Sequence, residues 1–183
     1  MNAQKINAIQ FVLENTNAAM PFSKFSSLIG GVYHPGAEMA LTKYFSRRKK
    51  SEWAGLVHLG YFYHRFVQHG IPLYGSIQYT HQLKGRLWFS TALGAGTLFS
   101  IPATAQFKLD ESGNYRRLHP VRLQGTGNFY FGAEYRFPNT NNAILIGYQQ
   151  ALQFPFVKKY VPLLPYNCLQ IGYRKSILQH TKK

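Results

Sequence analysis

Acidic side chains are scarce in this sequence, with six Asp and Glu against 21 Lys and Arg in 183 residues, a formal charge of +15. Such a surplus suits nucleic acid, anionic lipid or an acidic partner, and its sign alone does not choose among them. Cysteine is nearly absent too: Cys168 stands alone, which excludes an internal disulfide and any multi-cysteine metal site, and it reads as structural. Nowhere does the chain hold the ~18 consecutive apolar residues that a membrane helix requires, because Gly, Gln, His and Tyr interrupt every apolar stretch. Charged residues make up 15% where a quarter is usual, so the composition is also poor for an ordinary soluble surface. At the start, Met1-Asn2-Ala3-Gln4-Lys5 has no basic head and no apolar run behind it; a complete signal peptide is not expected there, and the Asn-Ala-Gln opening fits the remnant of one.

Aromatic residues are abundant instead: 14 Phe, 13 Tyr and 2 Trp, 16% of the chain. They fall at alternate positions of strand-like segments, while the cations gather between segments, as in Arg47-Arg48-Lys49-Lys50, Lys84-Gly85-Arg86, Arg116-Arg117 and Lys158-Lys159. A nucleic-acid surface needs both kinds of residue on one face. Cations at the turns of aromatic strands fit a membrane protein bordered by phosphate headgroups, so nucleic acid is not expected as a partner.

Alternation with period two sends every second side chain to one face of a strand. Seven segments show it. In Thr126 to Phe137, Phe129, Phe131, Ala133, Tyr135 and Phe137 oppose Asn128, Tyr130, Gly132, Glu134 and Arg136. In Leu73 to Leu83, Leu73, Ile77, Tyr79 and Leu83 alternate with Ser76, Gln78, Thr80 and Gln82. Gly36 to Phe45, Trp53 to Phe66, Arg86 to Phe99, Ala143 to Phe154 and Leu169 to Ile177 repeat the pattern, with one apolar face and one of small and polar residues. Segments of about 9 to 14 residues match tilted membrane strands better than those of soluble sheets. An eighth strand is expected over Lys24 to Tyr33, where Tyr33-His34-Pro35-Gly36 reads either as a hairpin turn or as a break in one long strand; an even strand count favours the hairpin.

The fold expected is therefore all-β, an antiparallel up-and-down transmembrane β-barrel of about eight strands. Residues 1–23 form an N-terminal periplasmic arm or plug, residues 24–178 the barrel and residues 179–183 a C-terminal tail. Short polar turns at Ser46 to Glu52, Lys84-Gly85 and Pro138 to Asn142 share the periplasmic side. Longer loops lie opposite: Ser100 to Leu123, in which Asp110-Glu111-Ser112-Gly113-Asn114 is the turn of a projecting hairpin, and Pro155 to Asn167, stiffened by three prolines.

In Tyr33-His34-Pro35-Gly36-Ala37-Glu38, in Leu93-Gly94-Ala95-Gly96 and in the run from Phe154 to Pro165, the chain resembles small outer-membrane β-barrel proteins of Bacteroidota, over most of Leu28 to Leu178. The resemblance implies a fold and an outer-membrane location, and no reaction. Gln170, Gly172, Tyr173 and Ile177 resemble a terminal barrel-insertion signal, from which Lys175 and the extension Gln179 to Lys183 depart.

The inward face supplies the candidate functional residues. Glu38, His58, His64, Gln78, Glu134, Arg136 and Arg174 are read as a polar network filling the lumen, since charges inside a narrow barrel must pair. His58, His64 and His69 with Glu38 invite a metal reading, but His58 and His64 lie six residues apart, near 20 Å on a strand rising ~3.3 Å per residue. No metal and no cofactor is expected. Outward Tyr61, Tyr63, Tyr79, Tyr135, Tyr173 and Trp53 suit interfacial girdles. Arg47, Arg48, Lys49, Lys50, Lys158 and Lys159 are read as contacts to lipid headgroups or to a partner.

The function expected is that of a non-enzymatic outer-membrane barrel, an accessory or structural subunit of a larger outer-membrane complex, with outer-membrane lipid, lipopolysaccharide and other outer-membrane proteins as partners. The alternative is a hydrolase acting on lipid A or phospholipid. Barrel lipid A deacylases carry an outward His-x-Ser pair, whereas here Gln82-Leu83 follows His81 and Ser90 faces inward, so no catalytic residue is assigned. A ligand-binding barrel of the soluble kind would need apolar residues inside, opposite to the pattern found.

Overall fold

The computed structural model describes residues 6–18, 28, 31–110, 112–118, 121–156 and 162–177. Ten strands run through them: β1 (Ala8–Ala18), β2 (Pro35–Arg47), β3 (Ser51–His64), β4 (Gln68–Lys84), β5 (Leu87–Pro102), β6 (Gln106–Leu109), β7 (Tyr115–Leu118), β8 (Arg122–Arg136), β9 (Ala143–Phe154) and β10 (Leu164–Ser176). Eight of them close a barrel in the order β1-β10-β9-β8-β5-β4-β3-β2, and β6 with β7 forms a separate two-stranded ribbon. All pairings are antiparallel, and closure comes from β1 lying along β10, from Ala8 opposite Ser176 to Ala18 opposite Tyr166. The all-β transmembrane barrel fold is thus the one the alternation calls for.

The side chains sort by parity. Leu93, 67% exposed, stands on the outside of β5, while Ala92 beside it and Ser90 on the same face as Ala92 are buried. The same split carries Ile77, Ile146 and Ile171 outward, and Gln78, Gln149 and Gln170 inward. An exterior of Leu, Ile and Phe around a polar interior is the reverse of a soluble barrel.

Connections at one end are short, residues 48–50, 85–86 and 137–142, and the first and last barrel strands begin and end there. Gly85 takes φ 56° in the β4–β5 turn, a left-handed conformation that costs glycine no steric clash. At the other end, the hairpin foreseen at Asp110 to Asn114 exists. Asp110 holds its turn by accepting hydrogen bonds on its carboxylate from the backbone N–H groups of Ser112 and Asn114, at 3.0 and 2.9 Å.

The N-terminal segment needs correction. Ala8–Ala18, expected within an arm or plug, is the barrel strand that closes the sheet, and the strand expected over Lys24 to Tyr33 is not required. Leu28 and residues 31–33 lie outside every strand, and the rest of that segment lies outside the described residues, as does the tail 179–183. Tyr33-His34-Pro35-Gly36 is not a hairpin turn, because Pro35 opens β2, a position where its missing N–H breaks no ladder. The short-turn end is unaffected, since replacing one expected strand by another leaves the count at eight.

Candidate functional site

The lumen is filled in tiers. Nearest the long loops, His64 at the end of β3 stacks on His34, with centroids 3.8 Å apart and planes within 8°. Asn17 Oδ1 lies 2.9 Å from His34 Nδ1, and Phe66 meets both imidazoles edge-on. Burial and the nearby Arg65 guanidinium both push the His34 pKa below its ordinary value, because each disfavours a second positive charge.

Below this, Gln68 of β4 reaches across to Gln153 of β9. Its Nε2 donates to Gln153 Oε1 at 2.7 Å and to Tyr166 Oη at 2.9 Å, while Ser100 donates to its carbonyl oxygen. Gln124 and Gln153 are joined in turn. Phe62, Leu98, Leu164 and Tyr166 pack into an apolar cluster at the same level. This tier ties strands on opposite walls and closes the lumen beneath the loops.

The middle tier holds Glu38, His58 and Ser76, contributed by β2, β3 and β4. His58 Nδ1 lies 2.8 Å from Glu38 Oε1, and His58 Nε2 lies 2.8 Å from Ser76 Oγ. Tyr74 stacks on His58 at 4.2 Å and donates its hydroxyl to Glu38 Oε2 at 2.8 Å. Carboxylate, imidazole and hydroxyl in this sequence are the elements of a nucleophile relay. Opposite, Gln170 Nε2 donates to Glu14 Oε2 and Gln149 Oε1, and Gln149 Nε2 donates to Asn128 Oδ1. Asn128 Nδ2 is buried without a protein partner. The void that Ser76, His58 and Asn128 line measures about 30 Å³, room for one or two waters.

At the short-turn end lies an ion cluster. Arg136 of β8 grips Glu52 of β3 from across the barrel with two donors, at 3.1 and 2.6 Å, and its guanidinium lies 3.7 Å above the Trp88 ring. Arg174 Nη1 sits 2.8 Å from Glu134 Oε2, which Arg136 also approaches at 3.4 Å. Glu134 Oε1 accepts from Ser90 at 2.7 Å and from Gln78 at 3.3 Å. A fork of fixed donors matched to a carboxylate is the strongest form of such a pair.

The candidates named from the sequence therefore divide among tiers. Gln78, Glu134, Arg136 and Arg174 share the ion cluster, Glu38 and His58 share the relay, and His64 stands apart at the mouth. Two carboxylates escaped the sequence reading. Glu14 sits on a strand read as an arm, and Glu52 was placed in a turn, although extending the β3 alternation back one residue from Trp53 turns it inward. Arg47 has a partner within the barrel as well: its Nε donates to Glu52 Oε1 at 2.9 Å and its guanidinium lies over Tyr44, so it extends the ion cluster to the rim. Arg48, Lys49 and Lys50 are exposed in the β2–β3 turn, and Lys158 and Lys159 lie outside the described residues. His69 is on the outer wall, its Nδ1 2.8 Å from Tyr61 Oη. Among the described residues no three His, Cys, Asp or Glu converge as metal ligands.

No protein-family model matches the chain, and no curated protein matches it by sequence. Solved structures do match in fold. Neisserial surface protein A superimposes with a TM-score of 0.58 and 11% identity, over 93% of this chain and 96% of that one. The outer membrane enzyme PagL does so with a TM-score of 0.52 and 12% identity, over 93% and 99%. At such identities the likeness is one of fold: this chain has the architecture of eight-stranded outer-membrane barrels.

Proposed function

We propose that the chain resides in a bacterial outer membrane as a barrel without a transport path, and acts there as an accessory or structural subunit beside other outer-membrane proteins, in contact with lipopolysaccharide. The observation that carries this reading is the sealed interior within an apolar wall. Arg136 and Glu52 span the lumen at one end, and Gln68 and Gln153 span it at the other. A molecule that passes nothing through its centre works through its surfaces. Native mass spectrometry of the chain extracted in detergent is the test. Fixed co-purifying proteins and retained lipopolysaccharide support the reading; a lone chain, or one released from cells without detergent, overturns it.

One observation favours the hydrolase alternative, the Ser76–His58–Glu38 relay. Against it, Ser76 opens onto a void of water size and not onto the lipid-facing wall. We assign the relay to cross-strand cohesion, joining β2, β3 and β4 inside the barrel. A fluorophosphonate that labels Ser76 in the folded chain, or fatty acid released from lipid A by the wild type and not by Ser76→Ala, overturns that assignment.

A further inference from the structure

Outside the barrel, the β6–β7 ribbon leaves one face uncovered. Leu109 and Tyr115 are directly paired, and Phe107, opposite Arg117, lies two residues along, so alternation gives that face three apolar positions and one cationic position. Leu109, Tyr115 and Phe107 are 54%, 78% and 59% exposed. A two-stranded ribbon has no second layer with which to bury them.

The wall beneath the ribbon is apolar to its top. β5 ends outward in Phe99 and Ile101, and β8 is entered through Val121 and Leu123, all exposed. These are the two strands between which the ribbon is inserted, with three residues between Pro102 and Gln106 and three between Leu118 and Arg122. The opposite wall differs: the outward positions near the top of β1 and β10 are Asn15, Asn17 and Asn167, and Leu28 accepts a hydrogen bond from Asn15 Nδ2 at 2.9 Å. The apolar exterior thus continues upward on the β5–β8 side and gives way to hydrogen-bonded amides on the other.

Charge points the same way. Four of the six acids, Glu14, Glu38, Glu52 and Glu134, are buried inside the barrel; of the remaining two, Asp110 lies at the ribbon's turn and Glu111 follows it in the sequence. Asp110 is occupied by the backbone there. The segment from 106 to 118 meanwhile carries Lys108, Arg116 and Arg117. Apolar side chains beside a cationic surplus make up the composition of an interfacial element, which sinks its apolar face between headgroups and places its cations among phosphates.

We propose that the β6–β7 ribbon lies against the anionic outer leaflet of the membrane that holds the barrel, with Phe107, Leu109 and Tyr115 entering the headgroup layer. The inference rests on the membrane reading above. It makes the ribbon a lateral lipid anchor on the β5–β8 side and leaves the other walls for neighbours.

The test uses the full chain with Cys168→Ala, reconstituted in vesicles of phosphatidylethanolamine and phosphatidylglycerol. A nitroxide is attached at Phe107→Cys, with Tyr115→Cys as a second reporter, Leu93→Cys as a belt control and Ser112→Cys as a turn control. The expected result is a ratio of oxygen to nickel-chelate accessibility at 107 and 115 several-fold above that at 112 and nearer that at 93. Replacing phosphatidylglycerol by phosphatidylcholine lowers it. Ratios at 107 and 115 equal to that at 112, or labels shielded from both reagents as beneath a protein partner, overturn the proposal while the label at 93 still reports lipid. A label at 93 that reports water overturns the membrane reading itself, so the two failures are told apart.

Discussion

Arg174 and Glu134 meet at 2.8 Å inside the barrel with side chains 2% and 1% exposed, although β9 lies between the strands that carry them. A pair so enclosed is held by its geometry and by the further bonds Glu134 accepts from Ser90 and Gln78. Removing one partner strands the other charge away from water, which costs ~3–5 kcal/mol, whereas replacing both by neutral groups of similar volume is often tolerated. Glu134→Gln alone is expected to lower the urea midpoint of the reconstituted barrel by that order, and Glu134→Gln with Arg174→Met to recover most of the loss. A double variant no better than the worse single one contradicts the pairing.

Gly96 is expected to be intolerant of even a methyl group. A Cβ at this position would collide with the Leu73 carbonyl oxygen and with Tyr74 Cα, both backbone atoms of the neighbouring strand that cannot rotate away. Gly96→Ala must therefore push β5 from β4 and move Tyr74 off Glu38, with a cost of ~1–3 kcal/mol in the range of overpacked sites. Gly127, where nothing stands within 4 Å of the added carbon, is the control, and Gly127→Ala is expected to unfold in urea near the wild type.

The strands that alternation exposed are those whose two faces differ in kind. In β8, Phe129, Phe131 and Tyr135 against Asn128 and Glu134 leave no doubt of parity, and the structure turns them as that parity requires. β1 hid because its inward side includes Val12, so Phe11-Val12-Leu13 reads as one apolar run, and because its outer side ends in Asn15 and Asn17. Those amides bond to Leu28 and His34 instead of meeting lipid. The Glu38–His58–Ser76 relay was illegible for another reason. Each residue was known to face inward, but their meeting depends on register, which sets His58 opposite Tyr74 and Leu56 opposite Ser76, and no single strand carries that information.

The His34–His64 stack is expected to make the loop end acid-sensitive. Burial and Arg65 hold the folded-state pKa of His34 below the ~6.5 of an unfolded chain, so at pH 7 and above both states are neutral and nothing is lost. As pH falls through ~6.5 the unfolded or detached segment takes up a proton that the stacked imidazole refuses, and the stack loses stability progressively toward the lower folded-state value. Amide exchange of residues 31–34 and 65–67 is the measurement. Protection is expected to fall between pH 7 and 5 in the wild type, and to be lower but to fall less steeply with acid in His34→Gln, where the His64 imidazole remains. Protection that rises on acidification contradicts the sign.

Leu93 separates a barrel that lives in lipid from one that merely looks as if it does. It lies midway along β5 and is 67% exposed, flanked on the outer wall by its register partners Ile77 and Phe129. In hydrocarbon, an arginine at the midplane costs ~2–4 kcal/mol, because its charge must be drawn to an interface or hydrated by thinning the bilayer. In water the same change removes an exposed apolar side chain and costs nothing. Leu93→Arg is therefore expected to destabilise the vesicle-reconstituted chain by that amount, while Ser112→Arg in the exposed turn leaves the urea midpoint in place. Equal midpoints for wild type and Leu93→Arg remove the hydrocarbon from around β5, and the accessory role beside other outer-membrane proteins loses its foundation with it.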